Sequence, residues 1–313
     1  MKIVLKVLFS FVVIALAPLT AVAGEIAVIV KTTNSNFWMN VDRGANAALE
    51  GQSEFTYTFS GPESETAIAN QINLVENAVN RGVSGIVLAP SDPEALVPAV
   101  RQAYENGIPV VIIDSELSEA ADGYYQSFLS TNNCAAGELV AENMIEQVGT
   151  SGKVAVMSYV AGAGSEIGRV GCFTDYLAEH SDLEIVGPFY SQSQMGTALN
   201  QTTDVLSANS DLVGIFGANE PTAVGMGRAL AQSDNNDGIV AFGFDGNEDL
   251  QDLVRYGVLN GIAVQGSFQM GEMGVRAIMD FLQGNAIDEF IDTGVVLVTP
   301  DNIDEPEAQN VLY

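Results

Sequence analysis

The chain has 313 residues, 47% of them hydrophobic, 8% aromatic and 16% charged, with 31 Gly, 10 Pro, two Cys and a single His. That length and apolar share suit two domain-sized cores and exclude a disordered, collagen-like or disulfide-stapled mini-protein. The 40 Asp and Glu against 11 Lys and Arg give a formal net charge of -29, a field that repels phosphate backbones and anionic lipid and argues against nucleic-acid or membrane-surface partners.

Met1 to Ala23 has the three parts of an export signal. Lys2 and Lys6 form its positive end, an apolar stretch runs from Val7 to Leu16, and Ala21-Val22-Ala23 is a small-x-small cleavage site. Pro18 and Thr20 interrupt the stretch before it reaches the ~20 residues of a membrane span. Cleavage after Ala23 leaves 313 − 23 = 290 residues, with 40 acids against 9 bases and a net charge of -31. The chain reads as a soluble exported protein. Export also permits a disulfide between Cys134 and Cys172, both on predicted helices, if geometry lets them meet.

From there, apolar runs of strand length alternate with amphipathic helical stretches. Strands are expected at 25–30, 55–59, 85–89, 109–113, 154–159, 185–189, 212–216 and 239–244. Helices are expected at 37–50, 65–81, 93–106, 133–148, 167–179, 197–208, 221–232 and 269–282. The Val/Ile runs lack period-two polarity, as strands buried on both faces do, and the alternation implies parallel sheets covered by helices.

The pattern also repeats. Gly85-Ile-Val-Leu-Ala-Pro-Ser-Asp-Pro-Glu-Ala95 resembles Gly214-Ile-Phe-Gly-Ala-Asn-Glu-Pro-Thr-Ala223, and each precedes an apolar strand ending in Asp, at Asp114 and Asp245. The offsets are 129 residues between the glycines and 131 between the aspartates. Two similarly wound α/β lobes account for this.

In open parallel sheets, ligands sit beyond the carboxyl ends of the strands. If two lobes face each other there, the polar strand ends share a cleft: Asn34 to Trp38 with the Phe37–Trp38 pair, Asp114-Ser115, Arg169, Asn219-Glu220 and Asp245. Carboxylates accept from paired hydroxyls, Arg donates in a planar fork, and aromatic faces cover C–H surface, which together suit a neutral sugar or polyol. A phosphorylated ligand would meet the two aspartates unfavourably. Each residue also has a plainer role: Asp114, Asn219 and Asp245 as helix caps, Arg169 paired with a helix acid, Phe37 and Trp38 as core.

At these residues the sequence resembles the ribose-binding protein family of periplasmic solute receptors, a type I fold shared with the effector domains of lactose-repressor-like regulators. The likeness runs from about Ala27 to Val298. It is carried by Thr33-Asn-Ser-Asn-Phe-Trp38 with Gly44-Ala45, Pro109-Val-Val-Ile-Ile-Asp114, Gly162-Ala-Gly-Ser165 with Arg169 and Phe173, Phe216-Gly-Ala-Asn219-Glu220, and Gly243-Phe-Asp245-Gly246. The resemblance implies that Phe37 and Trp38 stack on a sugar and that Asp114, Arg169, Asn219, Asp245 and Gln265 bind its hydroxyls. It implies crossovers near Thr131, Gln265 and Gly294, hence one lobe of 24–131 plus 265–294 and another of 132–264 plus 295–313. It further implies hinge closure, a periplasmic location, a monomer, and delivery to the membrane permease of an ABC importer, with no cofactor or metal. Ser115 stands where ribose receptors usually place a second arginine, Ser35 where a binding asparagine is common, and no stacking aromatic is evident at 190–194. The ligand is therefore left open among monosaccharides, deoxy sugars and polyols.

Two other functions compete. A sensor reporting to a chemotaxis or two-component protein would use the same closure. A glycosidase would need only two carboxylates, and Asp114 with Asp245 could be read so. Against nucleophilic chemistry, His180 sits at a helix end and no Gly-x-Ser-x-Gly elbow occurs. Gly162-x-Gly164 with Gly168 misses the dinucleotide spacing by one residue and reads as a turn before a helix.

Overall fold

The structure is a computed structural model that describes residues 23–233 and 238–313. The export-signal reading falls on residues 1–22, outside the described residues. In chain order the first half runs β1 (Gly24–Ile29), α1 (Asn36–Ala48), β2 (Phe55–Ser60), α2 (Ile68–Arg81), β3 (Gly85–Leu88), α3 (Val97–Glu105), β4 (Val110–Ile113) and β5 (Ser127–Ser130). The second runs α4 (Asn133–Val148), β6 (Ser151–Ser158), α5 (Gly164–His180), β7 (Asp182–Tyr190), α6 (Met195–Ala208), β8 (Leu212–Gly217), α7 (Glu220–Gln232), β9 (Val240–Phe244), α8 (Glu248–Arg255) and β10 (Gly261–Gln265). The chain finishes with α9 (Ser267–Leu282), β11 (Phe290–Asp292), β12 (Val295–Val298) and α10 (Pro306–Gln309).

The duplication is visible in the topology. One sheet has the order β11-β5-β4-β3-β1-β2 and the other β12-β10-β9-β8-β6-β7. Adding five to each of β1–β5 converts the first order into the second. All pairs are parallel except β10 with β12. Strands β3, β4 and β10 are buried along their whole length, so their side chains pack on both sides against helices, as unbroken apolar runs require.

Helix α9 follows a strand of the second sheet yet packs on α1 of the first lobe. The two come unusually close because a Cβ on Gly44 would overlap the carbonyl of Phe268, and one on Gly271 that of Val41. On the other lobe, Cys134 of α4 and Cys172 of α5 form a disulfide, with Cα atoms 5.1 Å apart. The sequence left that pairing open; the packing of the start of α4 on the middle of α5 settles it.

Two expected helices are shorter than their apolar patterns suggested. The one expected at 65–81 begins at Ile68, because Glu65 is tied to Trp38 and Ser193 and cannot join the first turn. The one expected at 93–106 begins at Val97, because Asp92 Oδ1 accepts from Glu94 N and Ala95 N and holds a turn there. The short strands β5, β10, β11 and β12 and the polar helix α8 were not anticipated. No helix among the described residues is long and apolar enough to cross a membrane.

Candidate functional site

The carboxyl ends of both sheets face one another across a buried cavity of about 30 Å³. Phe37, Trp38, Asp114, Arg169, Asn219, Asp245 and Gln265 all line it. The two aspartates arrive by the same device. Each follows its strand with a left-handed backbone, φ 66° at Asp114 and 77° at Asp245, and each N–H donates to the neighbouring strand, at Leu129 O (3.0 Å) and Ala263 O (2.8 Å). Asp tolerates this region better than most residues, and its cost of order 1–3 kcal/mol is typical of functional strand ends.

The second lobe supplies a connected polar wall. Arg169, 2% exposed, donates from Nε and Nη2 to Asn133 Oδ1, from Nη1 to Ala218 O at 2.7 Å and from Nη2 to Gln265 Oε1 at 3.1 Å. Its guanidinium lies 3.6 Å from the ring centre of Phe244, a favourable cation–π position. Gln265 passes the chain on, donating from Nε2 to Asp245 Oδ1 at 2.8 Å. Asp245 Oδ2 accepts from Glu220 N at 2.9 Å. Burial pushes the Asp245 carboxyl up to about 6, against the opposing pull of Arg169 and Gln265. Asn219 caps α7, its Oδ1 accepting from Thr222 N, while its Nδ2 donates to Ser193 Oγ.

The first lobe supplies a second set. Phe37 and Trp38, which look like an exposed pair in sequence, are 5% and 2% exposed and belong to that lobe's core, edge to face at 4.7 Å. They line the cavity as well. Trp38 Nε1 donates to Glu65 Oε1 at 3.0 Å, and Ser193 Oγ of the other lobe donates to Glu65 Oε2 at 2.6 Å. Asp114 pairs with Lys31, whose Nζ lies 2.7 Å from Oδ2 and donates to Ser115 Oγ at 2.6 Å. Ser115 Oγ in turn accepts from Ser165 N of the second lobe.

Several plainer roles are thereby corrected. Arg169 pairs with no helix acid in the described residues: its partners are amide and backbone oxygens. Asp245 does not cap the helix that follows it; Asn247 does that, through Leu250 N. Asp114 caps no helix and serves Lys31 and Ser115. Gly162-Ala163-Gly164 is the turn entering α5, with Gly162 at φ 81°. His180 lies outside the cavity at the exposed end of α5, stacked on Tyr176, with Nδ1 3.0 Å from Tyr176 O.

Lys31, Glu65, Tyr159 and Ser165 also line the cavity and were missed; Glu220, which the sequence placed at a strand end without a role, lines it too. Lys31 carried a usable signal: it follows the first apolar strand, the rule that selected the aspartates. Glu65 was hidden inside an overextended helix. Burial and the nearby Asp245 charge push the Glu220 carboxyl up to about 8. The cavity thus offers carboxylate acceptors, guanidinium, amide and ammonium donors, and aromatic edges.

A larger outer cavity of about 350 Å³ opens beside this one and shares Ser35, Glu65, Glu220 and Pro221 with it. It is the mouth of the cleft between the lobes.

The chain matches the model of the periplasmic binding protein domain over residues 26–286. The D-allose-binding periplasmic protein of Escherichia coli is 27% identical over 263 residues, 82% of this chain and 84% of that one. The ribose import binding protein of the same organism is 25% identical over 262 residues, 84% of this chain and 86% of its own length. Among solved structures, an ABC transporter solute binding protein from Agrobacterium vitis with bound D-fucose is 66% identical. That match covers 93% of this chain and 100% of the other, with a TM-score of 0.92. A carbohydrate transporter solute binding protein from Agrobacterium radiobacter in complex with D-arabinose is 30% identical, covers 93% and 99%, and has a TM-score of 0.88.

Proposed function

The chain belongs to the periplasmic binding protein domain family, and from that premise we propose that it is the receptor of an ABC importer, holding one neutral monosaccharide between its lobes and releasing it to the membrane permease. It is a binding protein and not an enzyme. The observation that carries the reading is the convergence of Asp114, Arg169, Asn219, Asp245 and Gln265 with Phe37 and Trp38 on one buried cavity. The 66% identical relative holds D-fucose, a neutral 6-deoxy sugar, which makes D-fucose the first candidate here. Asp114 and Asp245 accept from ring hydroxyls, Arg169, Asn219 and Gln265 donate to them, and Phe37 and Trp38 cover the apolar ring face.

Side chains of both lobes line the inner cavity. Entry therefore requires the lobes to part, through the outer mouth. The lobe limits that fit are 24–131 with 265–294, and 132–264 with 295–313, joined at three crossings. A periplasmic location, cleavage after Ala23 and a monomeric state complete the proposal.

A thermal-shift panel of D-fucose, D-allose, D-ribose and D-arabinose tests it, since a ligand that binds only the folded state raises the melting point. D-Fucose should give the largest rise, and the recovered sugar should be unaltered at one per chain. No rise with any of the four, or chemical turnover, would overturn the reading.

A further inference from the structure

Helix α1 carries the aromatic wall of the cavity in its first turn, and its opening N–H groups have no partner within the helix. Their partners are informative. Trp38 N donates to the cap residue Ser35 at 3.4 Å. Asn36 N and Phe37 N reach across to the other lobe, to Glu220 Oε1 at 3.0 Å and Glu220 Oε2 at 2.8 Å. Carboxyl oxygens satisfy the open N–H groups of a helix start as a cap does, and here the pairing is made between lobes.

The same residue also holds the opposite wall, because its backbone N–H donates to Asp245 Oδ2. Its side chain is in turn fixed by Tyr313, whose hydroxyl donates to Glu220 Oε2 at 3.1 Å. Tyr313 lies outside the cavity lining. Its N–H donates to Gly246 O, its carbonyl accepts from Gln251, and its ring packs on the first lobe's core cluster. The preceding Leu312 packs on the second lobe's cluster. Adjacent residues thus grip the two lobes.

We propose that Glu220, steadied by Tyr313, is a positioning residue that clasps the lobes by docking the first turn of α1 and thereby sets how long the closed state lasts. Glu220 also lines the cavity and Tyr313 does not, so Tyr313→Phe tests the clasp apart from any contact with the sugar, and only the effect on affinity rests on the sugar reading. Parting the lobes breaks both amide contacts and moves the Phe37–Trp38 wall off Asp245.

Trp38 is the single tryptophan of the chain and sits beside the clasped amide, so its emission reports on the clasp. The test compares wild type with Tyr313→Phe and Glu220→Gln, reading D-fucose association and dissociation by stopped flow and Trp38 emission without sugar. Tyr313→Phe keeps the ring packing and removes one hydrogen bond, for an expected rise in dissociation rate of roughly 2- to 12-fold. Glu220→Gln exchanges a carboxyl oxygen, which accepts whether or not the acid holds a proton, for an amide N–H facing a backbone N–H, for an expected rise of roughly 2- to 12-fold. Association should stay within about twofold, because affinity changes of this kind fall mainly on dissociation. Ligand-free emission should shift to the red in both variants as Trp38 meets water. A misfolded Glu220→Gln leaves Tyr313→Phe to decide. If wild type takes up none of the sugars, the function is wrong and the emission shift alone decides the clasp. Wild-type emission and wild-type dissociation in Tyr313→Phe would overturn it.

Discussion

Lys31 shows how much a single side chain can carry. It is 3% exposed and forms the ion pair of Asp114. Lys31→Met would leave a buried carboxylate without its cation, an uncompensated charge that costs about 3–5 kcal/mol. Urea denaturation should show that loss, and an unchanged midpoint would mean that Asp114 finds another partner. Acidity matters at the same scale. Burial, then Asp245, raises the Glu220 carboxyl to about 8, and Asp245 itself is raised to about 6. Parting the lobes hydrates Glu220 and returns it toward the ordinary carboxylate range. The closed form then holds an extra proton between those two values, so its advantage is full below the ordinary range and is lost as pH rises through about 8. Sugar affinity in wild type should fall between about pH 6 and pH 8, by at most about tenfold per unit for one proton, and the profile should flatten in Glu220→Gln. Equal slopes in the two proteins would assign the titration elsewhere. Charged residues at strand ends were readable in sequence because the strands before them are plainly apolar. Glu65 was not, and Glu220 was legible as a strand-end acid but not as a contact between lobes, since their partners lie 128 and 183 residues away, which no local pattern encodes.

Elements that bury a continuous apolar face were legible, and those that do not were missed. Helix α4 was expected at 133–148 and is found at Asn133–Val148, where Asn132 caps its start and Gly149 ends it. Helix α8 escaped notice because its eight residues bury only Leu250 and Val254. Strands β5, β11 and β12 are three or four residues long, and β5 begins and ends in Ser, so neighbouring strands and not their own composition define them. The disulfide belongs to this scale too. It staples the start of α4 to the middle of α5, two helices that bear Asn133 and Arg169 and pack so tightly that a Cβ on Gly137 would overlap the carbonyl of Arg169. Its two cysteines are 38 residues apart, and removing such a constraint costs about 2–4 kcal/mol. Reduction with dithiothreitol should lower the unfolding midpoint by that order and weaken sugar binding through Arg169. A midpoint unmoved on full reduction would show that helix packing alone suffices.

The whole molecule is one strand order used twice, β2-β1-β3-β4-β5 and β7-β6-β8-β9-β10, with the carboxyl ends of both sheets turned to a common cleft. That duplication was legible from two glycine-led segments and two aspartates, and it explains why Asp114 and Asp245 share a backbone conformation. The closure geometry was not legible, because it depends on contacts between lobes, such as Ser193 with Glu65 and Glu220 with α1. The proposed function pairs these facts: matched polar ends to select a hydroxyl-rich guest, and contacts between lobes to retain it. Calorimetric titration of D-fucose into wild type and Asp245→Ala is the most direct test. Saturation at one sugar per chain in wild type, with affinity reduced about 30-fold or more in the variant, is the predicted outcome, the loss expected when a buried charged partner is removed. Absence of saturable binding in wild type, or equal affinity in the two proteins, would contradict it.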